Sequence, residues 1–267
     1  MAWAHAAPGD RLAALTHAIN LHPREAELYL ERGDLHRAGG DFSRARADYL
    51  RARRLQPALP VVDLKLGILA LERARPSRAL RFLDRYLQDR PGDAGGWRWH
   101  ARALTKLGRA QDAAEDFRRA TAATSPSDRV RPEDFLEWAK ALEAAGQRPE
   151  AIDVLDEGMR RLGAIVSLQL PAISLALDLG RVEEAVRRLE TLQAGPGRPE
   201  VWLAQRGKIL ERAGLPDEAR RAYAAALDIL EAHSETRASR AEDDLEASIR
   251  AGLRRTAPAE PAVETAP

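Results

Sequence analysis

The amino-acid sequence repeats itself with a period of 34 residues, and this period limits the possible folds more than any other feature. Within one period the apolar residues recur every three or four positions in two stripes, which is the pattern of two amphipathic helices. The clearest marker is an alanine that recurs every 34 residues, with one step of 38 residues, at Ala45, Ala79, Ala113, Ala151, Ala185 and Ala219. A period of this size predicts a stacked array of helix pairs.

Residues at fixed distances from the alanines indicate how the helices of one pair meet. A small residue stands twelve positions before most of the alanines and a large apolar residue stands four positions after each, as with Gly33 and Tyr49 around Ala45. We expect the small residue to let the helices approach closely and the large residue to fill the space beside it. A glycine five positions before five of the alanines is expected to end the first helix in the left-handed conformation, and Ala74 is the exception.

This register resembles that of the tetratricopeptide repeat family, whose motif has aromatic, small, alanine and proline residues at fixed offsets. The first repeat supplies Tyr29, Gly33, Ala45, Tyr49, Ala52 and Pro57, and the third repeat supplies Trp97, Ala101, Ala113, Phe117 and Ala120. The resemblance implies an all-α fold, a right-handed α-solenoid of stacked helix-turn-helix repeats. We assign about six repeats, to residues 26–59, 60–93, 94–127, 132–165, 166–199 and 200–233.

The segments outside the six repeats complete the domain organisation. An upstream helix is expected at about 10–21 and a C-terminal capping helix at 236–255, so that the array covers 10–255. Residues 1–9 and 256–267 are expected to be disordered, the latter because they are rich in alanine, proline and glutamate. The first nine residues also resemble the end of a secretory signal peptide whose charged and apolar regions are missing. The sequence therefore favours neither a cytoplasmic nor a periplasmic location.

Composition argues against several classes of function. The chain has 42 basic and 41 acidic residues, and the resulting net charge of +1 argues against a strongly basic nucleic-acid-binding protein. There is no cysteine, so neither a disulfide nor thiolate chemistry is available. No apolar run approaches the roughly 20 residues that a membrane span needs.

Arginine supplies nearly all of the positive charge, since only 4 of the 42 basic residues are lysine. We interpret this bias as the mark of a GC-rich genome, in keeping with a bacterial source. The alternative is that arginine serves bidentate contacts with carboxylate or phosphate groups.

The sequence contains no group of residues that predicts catalysis or a cofactor. The six histidines are scattered without metal-binding spacing, and the glycine-rich stretch 92–96 lacks the Lys-Ser/Thr of a phosphate loop. Asp153, Asp156 and Glu157 form a carboxylate cluster, which we interpret as part of a solvated helix face. We therefore expect a protein that is not an enzyme and that binds neither a metal nor another cofactor.

The family resemblance implies that the first helices of the repeats line a concave groove that holds a protein or peptide partner. Carried over residue by residue, the candidate groove residues are Leu30, Asp34, Arg37, Val61, Leu64, Ile68, Leu71, Arg98, Arg102 and Lys140. Within this set the second repeat offers an entirely apolar face, and the third repeat places two arginines beside it. We therefore expect a partner segment with apolar residues next to an acidic one.

Two alternatives to a peptide groove stay open. The apolar face is also explained if neighbouring helices cover it, with Arg98 and Arg102 paired to carboxylates such as Glu133. The other alternative is that the array is a structural scaffold or an oligomeric component of a multi-protein assembly, and self-association into a homo-oligomer is compatible with it. Binding of nucleic acid is not expected, because the groove lacks the aromatic residues on which bases stack.

Overall fold

The computed structural model describes residues 8–125, 130–163, 165–195, 197–232 and 240–258, which form fourteen α-helices and no strand. The contacts between helices divide the chain into two compact units. The first unit consists of the described residues up to Val130 together with Lys140–Gly146. It holds seven complete helices, α1 (Pro8–Leu21), α2 (Ala26–Ala38), α3 (Phe42–Leu55), α4 (Val61–Glu72), α5 (Pro76–Asp89), α6 (Ala94–Lys106) and α7 (Ala110–Ala123).

The second unit consists of Arg131–Ala139 and the residues from Gln147 onward, so that α8 contributes residues to both units. Its helices are α8 (Pro132–Ala144), α9 (Arg148–Leu162), α10 (Val166–Asp178), α11 (Val182–Gln193), α12 (Pro199–Arg212), α13 (Pro216–Ala232) and α14 (Arg240–Arg255). From α2 to α13 the helices follow the six expected repeats in order, two helices to each, and the predicted all-α repeat fold is confirmed. None of the described helices is long and apolar enough to cross a membrane.

The expected ends of the array differ from the observed ones by a few residues. Helix α1 begins at Pro8, inside the expected 1–9 tip, and residues 1–7 with their signal-like stretch lie outside the described residues. Helix α14 is described from Arg240, because 233–239 also lie outside. Thr256 is buried and its hydroxyl donates to the carbonyl of Gly252 (2.9 Å), so the ordered chain continues past 255. The remaining tail, 259–267, lies outside the described residues.

The two helices of a pair meet where a small residue of the first faces a large residue of the second. A Cβ atom added at Gly33 would lie 2.5 Å from Cε1 of Tyr49, and one added at Gly67 would lie 2.7 Å from Cγ of Leu83. Both distances are well below van der Waals contact, so a side chain does not fit between the helices. The expected close approach of paired helices is therefore confirmed in the first two repeats.

The turn between the helices of a pair contains a residue in the left-handed conformation. Five of these residues are glycines with φ between +72° and +80°, namely Gly40, Gly108, Gly146, Gly180 and Gly214. Ala74 takes their place in the second repeat, with φ of +53°. The left-handed conformation brings Cβ too close to the next carbonyl oxygen and costs an L-residue about 1–2 kcal/mol. The second turn therefore carries strain that the glycine turns do not.

Replacing Ala74 by glycine tests this strain. We expect Ala74→Gly to raise the free energy of unfolding by about 0.5–1 kcal/mol, because the relief at Cβ exceeds the extra backbone entropy that glycine loses on folding. The matched control, Gly108→Ala, makes the reverse exchange at the equivalent turn and should lower the free energy of unfolding by at least as much. Denaturant unfolding measures both variants, and a destabilising Ala74→Gly would contradict the interpretation.

The C-terminal helix α14 packs against α12 and α13 within the second unit. Ile249 has no exposed surface, and Leu245 and Leu253 join it against the apolar cluster that contains Tyr223. At the end of the helix, the Arg255 guanidinium group donates two hydrogen bonds to Glu211 of α12, over 2.5 and 3.0 Å. Apolar burial and an ion pair thus both attach α14 to the preceding helix pair.

Gly252 is the point at which the docking of α14 can be tested. A Cβ atom there would lie 2.5 Å from Cζ of Tyr223. In a free helix Gly252→Ala would be stabilising by about 1 kcal/mol, because alanine favours the helix. In the docked helix we expect overpacking to lower the free energy of unfolding by about 1–3 kcal/mol instead. Hydrogen exchange should show loss of protection in α14 first, and unchanged protection would show that α14 does not depend on this contact.

Candidate partner-binding surface

The candidate groove residues on α2 have partners within the first unit. Leu30 belongs to the apolar core and is only 6% exposed, so it offers almost no surface to a partner. Asp34 accepts a hydrogen bond from the Tyr49 hydroxyl (2.7 Å) and pairs with the Lys65 ammonium group (2.5 Å). Burial and the bond to Asp34 raise the pKa of the Tyr49 hydroxyl, which therefore stays protonated and continues to donate.

A second ion pair also joins α2 and α4. Arg37 of α2 lies 2.5 Å from a carboxylate oxygen of Glu72 at the end of α4. Both side chains are about one third exposed, so the pair contributes at most about 1 kcal/mol to stability. Together with the pair of Asp34 and Lys65, it leaves equal numbers of positive and negative charges on the α2 side of α4.

The apolar face of α4 is partly covered. Its four members, Val61, Leu64, Ile68 and Leu71, are all half-buried. Leu64 and Leu71 pack with Trp99 of α6 against the core around Leu83, and Val61 packs against the core that contains Leu30. The face is therefore a shallow apolar strip that is neither buried in full nor fully open to solvent.

The two candidate arginines belong to α6, which contacts α4. Arg98 and Arg102 are half-buried, and each has an interaction with another residue of the chain. The Arg102 guanidinium group lies 4.5 Å from the ring centre of Trp99, which is the geometry of a cation–π contact. Lys140, the last of the candidates, is exposed on α8. Trp99 was not predicted from the sequence, although its spacing of three residues from Arg102 is the signal of contact along a helix.

Two buried aspartates, which were also not predicted from the sequence, form ion pairs within the same unit. Asp48 of α3 accepts two hydrogen bonds from Arg32 of α2, over 2.8 and 2.7 Å. Asp116 of α7 contacts Nδ1 of His100 in α6 over 2.5 Å. Both aspartates are at least 95% buried, so each needs its cationic partner. The signal was present in the sequence, because the two pairs occupy the same register positions two periods apart.

The second repeat lacks this buried ion pair. Leu66 stands where its neighbours have Arg32 and His100, and Phe82 stands where they have Asp48 and Asp116. Leu66 is buried and Phe82 packs against the same apolar core. The second repeat has thus exchanged an internal cation and carboxylate for two apolar side chains.

Two of the three carboxylates of the α9 cluster, Asp156 and Glu157, form ion pairs within the second unit. Arg188 of α11 donates to both oxygens of Asp156, over 2.7 and 2.8 Å, and Glu157 pairs with Arg160 and Arg161. Hydrogen bonding to Asp156 and Glu184 raises the pKa of Arg188 despite its burial. The described residues contain no group of three or more histidine or acidic side chains that could hold a metal ion.

The paired helices and their common register define a helical repeat protein. The model of the tetratricopeptide repeat family matches residues 2–60, 64–128 and 170–234, which together are more than half of the chain. The chain therefore belongs to the tetratricopeptide repeat family. None of the curated proteins matches it.

Several solved structures have a similar helical-repeat fold. A tetratricopeptide repeat protein from Parabacteroides merdae ATCC 43184 has a TM-score of 0.54 at 16% identity, and the match covers 90% of this chain and 91% of that protein. PilW, a widely conserved type IV pilus biogenesis factor, has a TM-score of 0.58 at 21% identity, covering 68% of this chain and 83% of PilW. MamA from Desulfovibrio magneticus RS-1 has a TM-score of 0.51 at 16% identity, with coverage of 57% and 84%. At these identities the likeness shows the fold alone.

The contacts of His100 predict a pH dependence of stability. Its Nε2 atom lies 2.9 Å from Asp84, so the ring sits between two carboxylates. Burial lowers the pKa of His100, but Asp116 and Asp84 outweigh burial and the net shift is upward. A raised pKa in the folded state stabilises the protein fully below the unfolded pKa of about 6.5, and this contribution is lost as pH rises through the folded pKa.

We expect His100→Gln to lower the free energy of unfolding by about 1–3 kcal/mol at pH 6, because hydrogen bonds to a charged group are lost, and by less at pH 9. Arg119, which also lies near Asp116 (3.5 Å), is unchanged by the substitution. Urea unfolding across this pH range measures the difference, with the exposed His17→Gln as control. A deficit of the same size at both pH values would contradict a charged His100.

Proposed function

We propose that this protein is a non-catalytic interaction module that binds a segment of a partner protein across α4 and α6 of its first unit. Tetratricopeptide repeat proteins are generally modules for protein–protein interaction. The observation that carries the proposal is the half-buried apolar strip of α4, with Ile68 near its centre, beside Arg102 stacked on Trp99. Leu30 is left out of this surface because it is buried.

The apolar strip and the arginines contribute differently to the free energy of binding. Complete burial of one apolar side chain contributes about 1.5–3 kcal/mol, and the half-buried side chains of the strip have only part of this left to gain. Exposed ion pairs contribute about 0–1 kcal/mol, whereas micromolar affinity requires about −8 kcal/mol. Two or three apolar side chains of the partner therefore have to supply most of the affinity, and the arginines set the direction in which the partner segment lies.

The charges on the two sides of the strip define that direction. On the α2 side, the acidic Asp34 and Glu72 are offset by Lys65 and Arg37. On the α6 side, Arg98 and Arg102 lie one helical turn apart, and each already interacts with another residue of the chain. The preference for an acidic partner residue comes from two guanidinium groups within one turn, and not from either of them being unpaired. The partner segment should therefore place its apolar residues on α4 and an acidic residue on the α6 side.

Selection from a random peptide display library tests this function. We expect the selected peptides to share two or three apolar residues next to an acidic one. The variant Arg98→Glu/Arg102→Glu should weaken their binding about tenfold or more and reverse the sign of its salt dependence, because the attraction becomes a repulsion that salt screens. Ile68→Ser should weaken binding without changing the charge.

The matched control is Arg148→Glu/Arg221→Glu, which makes the same charge change at exposed positions of α9 and α13. Circular dichroism establishes that each variant is folded. Binding that survives both Ile68→Ser and the α6 double reversal, or that falls equally in the control, would place the partner site elsewhere. Failure of selection together with concentration-dependent self-association in sedimentation would favour the structural scaffold.

A further inference from the structure

The near-neutral charge of the whole chain conceals a strongly basic segment. Residues 42–90, which contain α3, α4 and α5, have twelve basic residues and five acidic ones, a net charge of +7. The rest of the chain has 30 basic and 36 acidic residues, a net charge of −6. The positive charge is therefore concentrated in the first and second repeats.

Five arginines of this segment lie together on one surface, at Arg46 of α3, Arg73 and Arg75 of the turn after α4, and Arg78 and Arg81 of α5. We call these five residues the arginine surface. Four of them are exposed, and Arg78 is half-buried among them. Burial and the four neighbouring guanidinium groups lower the pKa of Arg78. In the part of the chain that the structure describes, none of the five forms an ion pair, whereas the nearby Arg53 and Arg85 both pair with Asp63.

The repeat register shows which carboxylates are missing. At the start of the second helix, the first repeat has the ion pair Asp41–Arg44 (3.4 Å) and the third has Arg109–Asp112 (2.6 Å). At the same two positions the second repeat has Arg75 and Arg78. The buried aspartates Asp48 and Asp116 of the flanking repeats are likewise replaced by Phe82. The second repeat thus lacks a carboxylate at two places where its neighbours supply one.

An apolar floor lies among these arginines. Leu66, Leu69, Ala70 and Phe82 line a hollow of about 20 Å³, whose rim includes Arg46, Arg73, Arg75 and Arg78. This volume is about what one water-sized group needs, so the hollow accepts a small group and not a nucleobase. Guanidinium groups lie over the Phe82 ring at 5.5, 5.8 and 5.0 Å, from Arg53, Arg78 and Arg85.

We propose that the arginine surface is a second docking site, separate from the α4–α6 strip, which binds an acidic segment of a partner protein. The partner's carboxylates take the places that Asp41 and Asp112 occupy beside their arginines in the flanking repeats, and a small apolar group rests on the floor at Phe82. The forked guanidinium group binds carboxylates in a bidentate manner, as Arg32 does with Asp48 in this protein.

Two other classes of anionic partner fit the surface less well. Single-stranded nucleic acid needs an open aromatic ring for stacking, and the half-buried ring of Phe82 lies beneath guanidinium groups. A membrane surface is bound best when apolar side chains insert beside the basic ones. The large apolar residues that stand exposed in the described chain are Leu21, Leu107, Val166, Leu170 and Leu215, and none belongs to this surface.

Arg75→Asp gives the second repeat the charge pair of the first and provides a test variant that is expected to fold. Asp41 accepts a hydrogen bond from the Arg44 backbone N–H (3.0 Å) at the start of α3, and an aspartate at position 75 should do the same for α5. The variant should therefore melt at the same temperature as the wild type or higher. Its new carboxylate should pair with Arg78 and compete with an external one.

The experiment measures binding of a short fluorescent peptide of glutamates around one alanine, with a glutamine peptide, oligothymidine and phosphatidylserine vesicles as comparison probes. We expect the wild type to bind the glutamate peptide, and Arg75→Asp to weaken this binding about tenfold. The double reversal Arg75→Glu/Arg78→Glu should weaken it further. Arg148→Glu/Arg221→Glu should change it less than about twofold, which separates this site from an effect of net charge.

Three results would overturn the proposal. One is absence of binding of the glutamate peptide at low salt. Another is an equal loss of affinity in Arg148→Glu/Arg221→Glu and in Arg75→Asp, which would show that binding depends only on the net charge of the protein. The third is tighter binding of oligothymidine or vesicles than of the peptide, lost in Arg75→Asp, which would assign the surface to nucleic acid or to lipid.

Discussion

The contact between a small residue of one helix and a large side chain of the next is the constraint on which the rest of this structure depends. It recurs in the second unit, where a Cβ atom added at Gly207 would lie 2.6 Å from Cδ1 of Tyr223. Because no side chain fits there, the helices of a pair have one relative position, and the surface residues follow from it. Leu64 of α4 and Trp99 of α6, for example, both pack against the core around Leu83 in the first unit.

The second repeat departs from the first and third repeats, which flank it, at several positions. It has Ala74 in place of the turn glycine, Leu66 and Phe82 in place of a buried ion pair, and Arg75 beside Arg78 in place of opposite charges. Local departures of this kind are expected at functional sites, where stability is exchanged for binding. The apolar strip of α4 and the arginine surface both belong to this repeat.

The sequence predicted the helix pairs, their register and the left-handed turns, because these follow from periodicity and from the size of single residues such as Gly33 and Tyr49. It did not predict the burial of Leu30 or the ion pairs of Asp34 and Arg37, because these depend on how neighbouring helices cross. The clustering of the arginine surface was hidden for a different reason: a net charge of +1 averages over the chain, whereas electrostatic binding depends on local charge.

The claim that a partner segment lies across α4 and α6 can be tested most directly by NMR of the tryptophan indoles. Trp99 lies between the apolar strip and Arg102, whereas Trp202 lies on α12 in the second unit. On addition of a peptide from the display selection, the indole N–H resonance of Trp99 should shift most and that of Trp202 should stay in place. An unchanged Trp99 resonance at saturating peptide, with shifts elsewhere, would contradict this account.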